Sequence, residues 1–219
     1  MNGTFMFGED RFGPDEDYAA TYHLLGGRAL TPDRVRDAIT MCCKTLQTIY
    51  DNPARWDSFP QVLETLRALP STRGLPAHEL ALLERVIANH ELGNVPDEYA
   101  SALQHLARTH RLGVVANVWS RKAPYLDQLA RAGVLNLFAI TVFSSDGASM
   151  KPSRVLFERA VAALGMPRSD IVFVGDSLRH DIAGAAAASL ATVWIDREGA
   201  GLPADGPRPD WIVRDLRNL

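Results

Sequence analysis

Two aspartates follow a short apolar segment in the C-terminal third of the chain. The segment Ile171–Val174 has the composition of a buried strand, and Gly175 after it permits a sharp turn. Asp176 and Asp181 come next, and reactive groups of parallel sheets lie at such strand ends. Two carboxylates there suit Mg²⁺, which prefers hard oxygen ligands. We therefore predict that both bind a metal ion; the alternative is a turn aspartate followed by a helix cap.

A lysine occupies the equivalent place after the preceding predicted strand. The chain contains 23 basic residues, of which only Lys44, Lys122 and Lys151 are lysines. Pro152 biases Lys151 toward an extended backbone, which can direct the side chain into the same crevice. An ammonium group there suits a phosphoryl group and its transition state. The alternative is an ordinary exposed lysine.

Predicted strands and helices alternate along the second half of the chain, and these elements position the residues described above. Short apolar runs separated by helical segments predict βαβ units and a parallel sheet covered on both faces. The predicted strands are Leu112–Ala116, Phe138–Phe143, Ile171–Val174, Ala191–Ile195 and a short edge strand at Trp211–Val213. Residues 15–94 instead carry apolar side chains at helical spacing, which predicts a bundle of helices.

From Leu112 to Ile195 the chain resembles the haloacid dehalogenase-like (HAD) hydrolases. Lys151-Pro152 is similar to their third motif, and the string VGDSLRHDIAGA is similar to their fourth. The resemblance implies an α/β fold: a three-layer core with a Rossmann-like parallel sheet, formed by residues 1–14 and 95–219. It also implies an inserted α-helical cap at residues 15–94.

The resemblance is incomplete at the first two motifs. Asn2-Gly3-Thr4 is similar to the end of the DxDGT motif, which implies a nucleophilic Asp one residue before Met1. Asn2 then occupies the general-acid position, where it would offer the metal its backbone carbonyl, and Thr4 completes the catalytic motif. In the second motif Ala116 replaces the Ser or Thr that binds the phosphoryl group. Asn117 could partly substitute through its amide, with Ser120 a weaker candidate.

The strand that carries the first motif is central in this family. Without it, two rows of backbone N–H and C=O groups lose their partners, at about 1–3 kcal/mol for each buried group. We therefore expect that either another segment fills the gap or the natural chain starts earlier. We also expect that the 219 residues alone hydrolyse no phosphate ester at a significant rate.

The resemblance implies a Mg²⁺-dependent hydrolase that acts on a small phosphorylated metabolite. Two alternatives remain open at this point. One is a catalytically degenerate HAD scaffold that binds a ligand or partner, which Asn2 and Ala116 favour. The other is dehalogenase-like or phosphonatase-like C–X hydrolysis; Lys44 is the only lysine in the cap that could serve the latter.

Composition narrows the classes further. The net charge of −3 and the pI of about 6.1 predict no general affinity for nucleic acid or anionic membranes. The two cysteines, Cys42 and Cys43, are adjacent and cannot cross-link the fold, and no signal peptide is evident. We expect a cytoplasmic protein, and the sequence leaves its oligomeric state open.

Overall fold

The computed structural model describes residues 1–219 and contains five parallel strands in two sheets. In the first sheet, β1 (Leu112–Ala116) pairs with β2 (Phe138–Phe143). In the second, β4 (Ala191–Ile195) lies between β3 (Val172–Gly175) and β5 (Trp211–Val213). The predicted α/β class with parallel strands is therefore confirmed.

Eight α-helices accompany the strands. Five precede the first strand: α1 (Tyr18–Leu24), α2 (Pro32–Tyr50), α3 (Val62–Ala68), α4 (Ala77–Glu91) and α5 (Asp97–Leu106). The other three lie between strands: α6 (Ala123–Arg131), α7 (Arg154–Leu164) and α8 (Ala183–Ala187). A π-helical turn at Leu178–Ile182 leads into α8. None of the helices combines the length and apolar content that crossing a membrane requires.

The four N-terminal helices pack around a core of their own. The longest, α2, begins where the Thr31 hydroxyl accepts a hydrogen bond from the Arg34 N–H, and Pro32 suits its first turn. Its fully buried stripe includes Val35 and Leu46, which belong to a cluster of 17 buried residues drawn almost wholly from this segment. The helical segment thus has a hydrophobic core separate from that of the sheets.

An apolar slot lies between the two sheets, with strand β1 on one side and strand β3 on the other. Strands β1 and β3 each have a partner on one edge only, so the backbone groups of their other edges point into the slot. The slot has a volume of about 530 Å³ and is lined mainly by apolar side chains of both strands and of α5 and α7. Val172 on β3 is 47% exposed there. No segment of the chain fills this gap, and Met1 and Phe5 lie at one end of it.

Several boundaries differ from the predicted ones. The third strand begins at Val172 rather than Ile171 and extends to Gly175, because the 3₁₀ turn at Arg168–Asp170 occupies the preceding residues. Between β3 and β4, where the alternating pattern predicts a helix, the structure has the π-helical turn followed by the short α8. In that turn the N–H groups of Asp181 and Ile182 both bond to the carbonyl of Ser177.

Candidate active site

A buried ion pair joins two of the predicted site residues. The Lys151 Nζ lies 2.5 Å from Asp181 Oδ1, and the two residues are 7% and 4% exposed. The other oxygen of Asp181 accepts a hydrogen bond from the Ser177 N–H at 3.1 Å. Burial alone would raise the pKa of Asp181, but the Lys151 ammonium and the chain's α-ammonium hold it below its ordinary value. Asp181 is therefore an ionised carboxylate at neutral pH.

Asp176 lies at the end of β3, in contact with the N-terminal residues. The Thr4 hydroxyl donates to Asp176 Oδ1 at 3.1 Å, and the Trp194 indole N–H donates to the Asp176 carbonyl at 2.9 Å. Gly3 has a φ of +67°, and a Cβ at this position would collide with the Asp176 carboxylate. Only glycine satisfies both conditions without strain, which accounts for the Asn2-Gly3-Thr4 segment in front of this aspartate.

The N-terminal residues extend into the same cluster. Burial, together with the Lys151 ammonium, lowers the pKa of the Met1 α-amino group to about 6, against the opposing effect of Asp176 and Asp181. The α-amino group donates to the Thr4 hydroxyl at 3.4 Å. Thr4, Asp176, Asp181 and Lys151 thus surround the start of the chain at the carboxyl edge of the strands.

Asn117 contacts the backbone of Lys151 at both ends of its amide. Its Oδ1 accepts from the Lys151 N–H at 2.7 Å, and its Nδ2 donates to the Lys151 carbonyl at 3.0 Å. Both ends of the amide therefore hold the Lys151 backbone, and Nδ2 also lies 3.5 Å from the Tyr50 hydroxyl. Because Nδ2 has a second N–H that Lys151 does not use, the predicted contact with a phosphoryl group stays a prediction. Ala116 is 3% exposed and offers only a methyl group.

The cluster offers oxygen ligands of the kind that Mg²⁺ binds. Asn2 Oδ1 is buried and has no hydrogen-bond partner, although the resemblance implied a role for the backbone carbonyl instead. No three His, Cys, Asp or Glu side chains are placed where together they could hold a metal ion. Asp176, Asp181 and Asn2 nevertheless fit Mg²⁺, because this ion usually takes one or two carboxylates and completes its shell with water and phosphate oxygens.

A cavity of about 660 Å³ separates the helical segment from the sheet core. Asn2 and Asn117 line it from the core side, and residues of α1 and α2 line it from the other. The Lys151–Asp181 pair lies behind Asn117 rather than in the cavity wall. The cavity has the size of a small-molecule site, which typically occupies about 300–1,000 Å³.

Two further residues border the site: Glu91, which no sequence pattern indicated, and His180, which adjoins Asp181 in the sequence. Glu91, at the end of α4, accepts hydrogen bonds from the N–H groups of Trp119 and Ser120 at 2.5 and 2.8 Å and so anchors the loop after β1. His180 is half-buried; its Nδ1 lies 3.1 Å from the Lys151 carbonyl and its ring packs against Tyr50. Neither contact could be found from spacing, because the partners are distant in sequence.

The fold and site together define a Rossmann-like α/β protein with an acidic, lysine-containing site at the carboxyl edge of its strands. A HAD-hydrolase-like family model matches residues 149–219. The chain is 34% identical to the pyrimidine 5'-nucleotidase YjjG of Escherichia coli over 93 residues, covering 42% of this chain and 41% of that protein. It is 34% identical to a phosphoserine phosphatase of Thermus thermophilus over 95 residues, or 42% and 37% of the two chains.

Solved structures resemble the chain over most of its length. The magnesium-bound HAD-hydrolase YfnB of Bacillus subtilis has a TM-score of 0.57 at 19% identity and covers 92% of this chain and 89% of its own. A 2-haloacid dehalogenase of Pseudomonas syringae has a TM-score of 0.62 at 20% identity, with coverage of 92% and 87%. The family model thus covers the C-terminal third of the chain, and the sequence matches span about two fifths of the length of the curated relatives above.

Proposed function

We propose that the protein is a Mg²⁺-dependent phosphatase that acts on a small phosphorylated metabolite. The observation that carries the proposal is the buried Lys151–Asp181 pair with Asp176 and Asn2 beside it, next to a cavity of metabolite size. The phosphatases among its sequence relatives support the same substrate class. Residues 15–94 would be the cap over this cavity, and residues 1–14 and 95–219 the core.

The proposed chemistry divides the displacement into two steps. An Asp carboxylate joined to the nitrogen of Met1 attacks phosphorus, and the ester P–O bond breaks. Water then attacks the aspartyl phosphate, which releases inorganic phosphate and restores the carboxylate. Lys151 stabilises the negative charge of the phosphoryl oxygens, and Thr4 orients Asp176 through its hydrogen bond. Mg²⁺ held by Asp176, Asp181 and Asn2 would neutralise the charges of phosphate and nucleophile.

Asn2 has a consequence for the leaving group. An amide cannot donate a proton near pH 7, so the departing alkoxide must be protonated by water. Esters with acidic leaving groups should therefore react fastest. For this reason an aryl phosphate such as 4-nitrophenyl phosphate is the most sensitive probe.

The test measures hydrolysis of 4-nitrophenyl phosphate with and without Mg²⁺. Two proteins are compared: the 219-residue chain, and the same chain preceded by a short apolar strand that ends in Asp. We expect turnover from the longer protein only, and its loss in Asp176→Asn. The matched control is Asp170→Asn, an exposed aspartate near the opposite end of β3. Turnover that survives Asp176→Asn would refute the proposed site.

A second candidate function is binding of a phosphorylated ligand without turnover. It is favoured by Asn2 in place of an acid and by Ala116 in place of a hydroxyl. A longer protein that is stable and binds inorganic phosphate but hydrolyses no ester would support this candidate over the phosphatase.

A further inference from the structure

One wall of the cavity between the helical segment and the core is a single face of α2. Six α2 residues line it, at spacings of mostly three or four: Arg36, Thr40, Cys43, Lys44, Gln47 and Tyr50. A neighbouring face of the helix, which includes Val35 and Leu46, is buried in the core of the helical segment. The cavity therefore runs along the α2 axis.

Tyr50 marks the end of this wall that is nearest to the predicted reacting groups. Its hydroxyl lies 3.5 Å from Asn117 Nδ2, and its ring centroid lies 4.8 Å from that of His180. Both neighbours contact the Lys151 backbone. A phosphoryl group bound near Lys151 would thus lie at the Tyr50 end.

Distance along the helix separates the two cations of the wall. At a rise of about 1.5 Å per residue, Lys44 lies about 9 Å from the level of Tyr50, and Arg36 about 21 Å. A compact metabolite spans the first distance but not the second. Lys44 is the cation within its reach.

Lys44 is also the one lysine without an anionic partner. Lys122 pairs with Asp146 at 2.7 Å and Lys151 with Asp181 at 2.5 Å, whereas no carboxylate lies within 4.0 Å of Lys44. Arg36, in contrast, donates to the carbonyls of Pro14 and Glu16 at 3.0 Å each. The Lys44 ammonium is available for a ligand.

The acidic residues that line the cavity do not pair with the Lys44 ammonium. The Glu91 carboxylate is engaged by the two backbone N–H groups of the loop after β1. Desolvation, with the charges of Glu91 and Glu9, raises the pKa of Asp10 to about 7, so it is only partly ionised at neutral pH. The Glu91 carboxylate is therefore already hydrogen-bonded and Asp10 is only partly charged, so the Lys44 ammonium can bind an anionic ligand.

We propose that Lys44 binds a second anionic group of the substrate, a carboxylate or a further phosphate, at the end of the molecule away from the reacting phosphoryl group. This inference rests on the proposed function, because it takes the phosphoryl group to lie near Lys151. The substrate class is then a small phosphate ester with an anion at its far end. Thr40 and Gln47 flank Lys44 on the same wall and can hydrogen-bond the neutral part of such a molecule.

Calorimetric binding of two matched probes tests the inference without requiring turnover. Both 6-phosphogluconate and glucose 6-phosphate carry a phosphate on a six-carbon chain, but only the first has a carboxylate at the other end. We expect the wild type to bind 6-phosphogluconate about tenfold more tightly, as one charge-assisted hydrogen bond can supply. Lys44→Met should abolish the preference, Lys44→Arg should retain most of it, and Arg34→Met, on the same helix outside the cavity, should leave it unchanged.

The outcomes separate the two proposals. Equal affinity for both probes in the wild type, or a preference that survives Lys44→Met, overturns the role of Lys44 while leaving the phosphatase intact. Failure to bind either ester or inorganic phosphate overturns the proposed function, and the inference falls with it.

Discussion

At the scale of single residues, the site is organised around Lys151. Its backbone is held by both ends of the Asn117 amide, and its ammonium pairs with the buried Asp181 carboxylate. A buried ion pair adds little net stability, but removal of one partner leaves an uncompensated charge. Lys151 is thus a structural requirement for Asp181 as well as a candidate catalytic residue.

Lys151→Met should lower the free energy of unfolding by about 3 kcal/mol at pH 7 in metal-free buffer. Without the ammonium, burial raises the pKa of Asp181, so folding favours the protonated carboxyl. The difference in the free energy of unfolding between the wild type and the variant is then largest at pH values above that raised pKa. It becomes smaller as the pH falls and Asp181 takes up a proton. Urea unfolding at several pH values measures this difference.

The matched control is Lys122→Met, which removes a lysine that is 47% exposed and pairs with Asp146 at the surface. An exposed pair contributes about 0–1 kcal/mol, so this variant should stay close to the wild type at every pH. Equal losses in the two variants would contradict the buried-pair interpretation.

At the scale of elements, α4 supports the core through its last residue. Glu91→Ala leaves the N–H groups of Trp119 and Ser120 without acceptors, and each unsatisfied buried group costs about 1–3 kcal/mol. We expect a loss of about 3 kcal/mol in urea unfolding, whereas Glu98→Ala on the exposed first turn of α5 should change stability little. A near-neutral Glu91→Ala would show that the loop after β1 does not depend on α4.

Helices α7 and α8 approach each other closely at Gly184. A Cβ there would lie 2.5 Å from Cε2 of Phe157, which is fully buried on α7. Gly184→Ala should therefore lower the free energy of unfolding by about 1–3 kcal/mol through overpacking. Thermal melts should show the loss, and Ala187→Ser on the exposed side of α8 provides the comparison. A Gly184→Ala protein as stable as the control would mean that the two helices can move apart freely.

At the scale of the whole molecule, the slot between the sheets leaves the core open between β1 and β3. A strand of four apolar residues and an Asp, added before Met1, would meet the free edges of β1 and β3. It would also convert the buried α-amino group into a peptide N–H. We expect the melting temperature to rise by about 5 °C or more, because burial of a few apolar side chains should raise the free energy of unfolding by more than about 1–2 kcal/mol.

A Gly/Ser extension of equal length separates this effect from the mere loss of the terminal charge. It should raise the melting temperature much less than the apolar strand. Identical melting temperatures for the two extensions would argue that the slot does not accept a strand.

Sequence patterns were sufficient to predict the secondary-structure elements and part of the candidate site. Local periodicity and turn residues encode strands and helices, so the bounds of β1, β2, β4 and β5 coincide with those predicted. The meeting of Lys151 and Asp181 was also predictable, because reactive groups gather at the carboxyl ends of parallel strands, although β2 and β3 belong to different sheets here.

The hydrogen-bond partners of the site residues could be identified from the tertiary structure alone. Asn117 and Lys151 are 34 positions apart and Glu91 and Trp119 are 28 apart, and no periodicity links residues at such distances. The open slot and the face of α2 that lines the cavity likewise depend on how separate elements pack. Sequence patterns specify which face of an element is apolar, whereas hydrogen-bond partners and cavity walls follow from the arrangement of those faces in three dimensions.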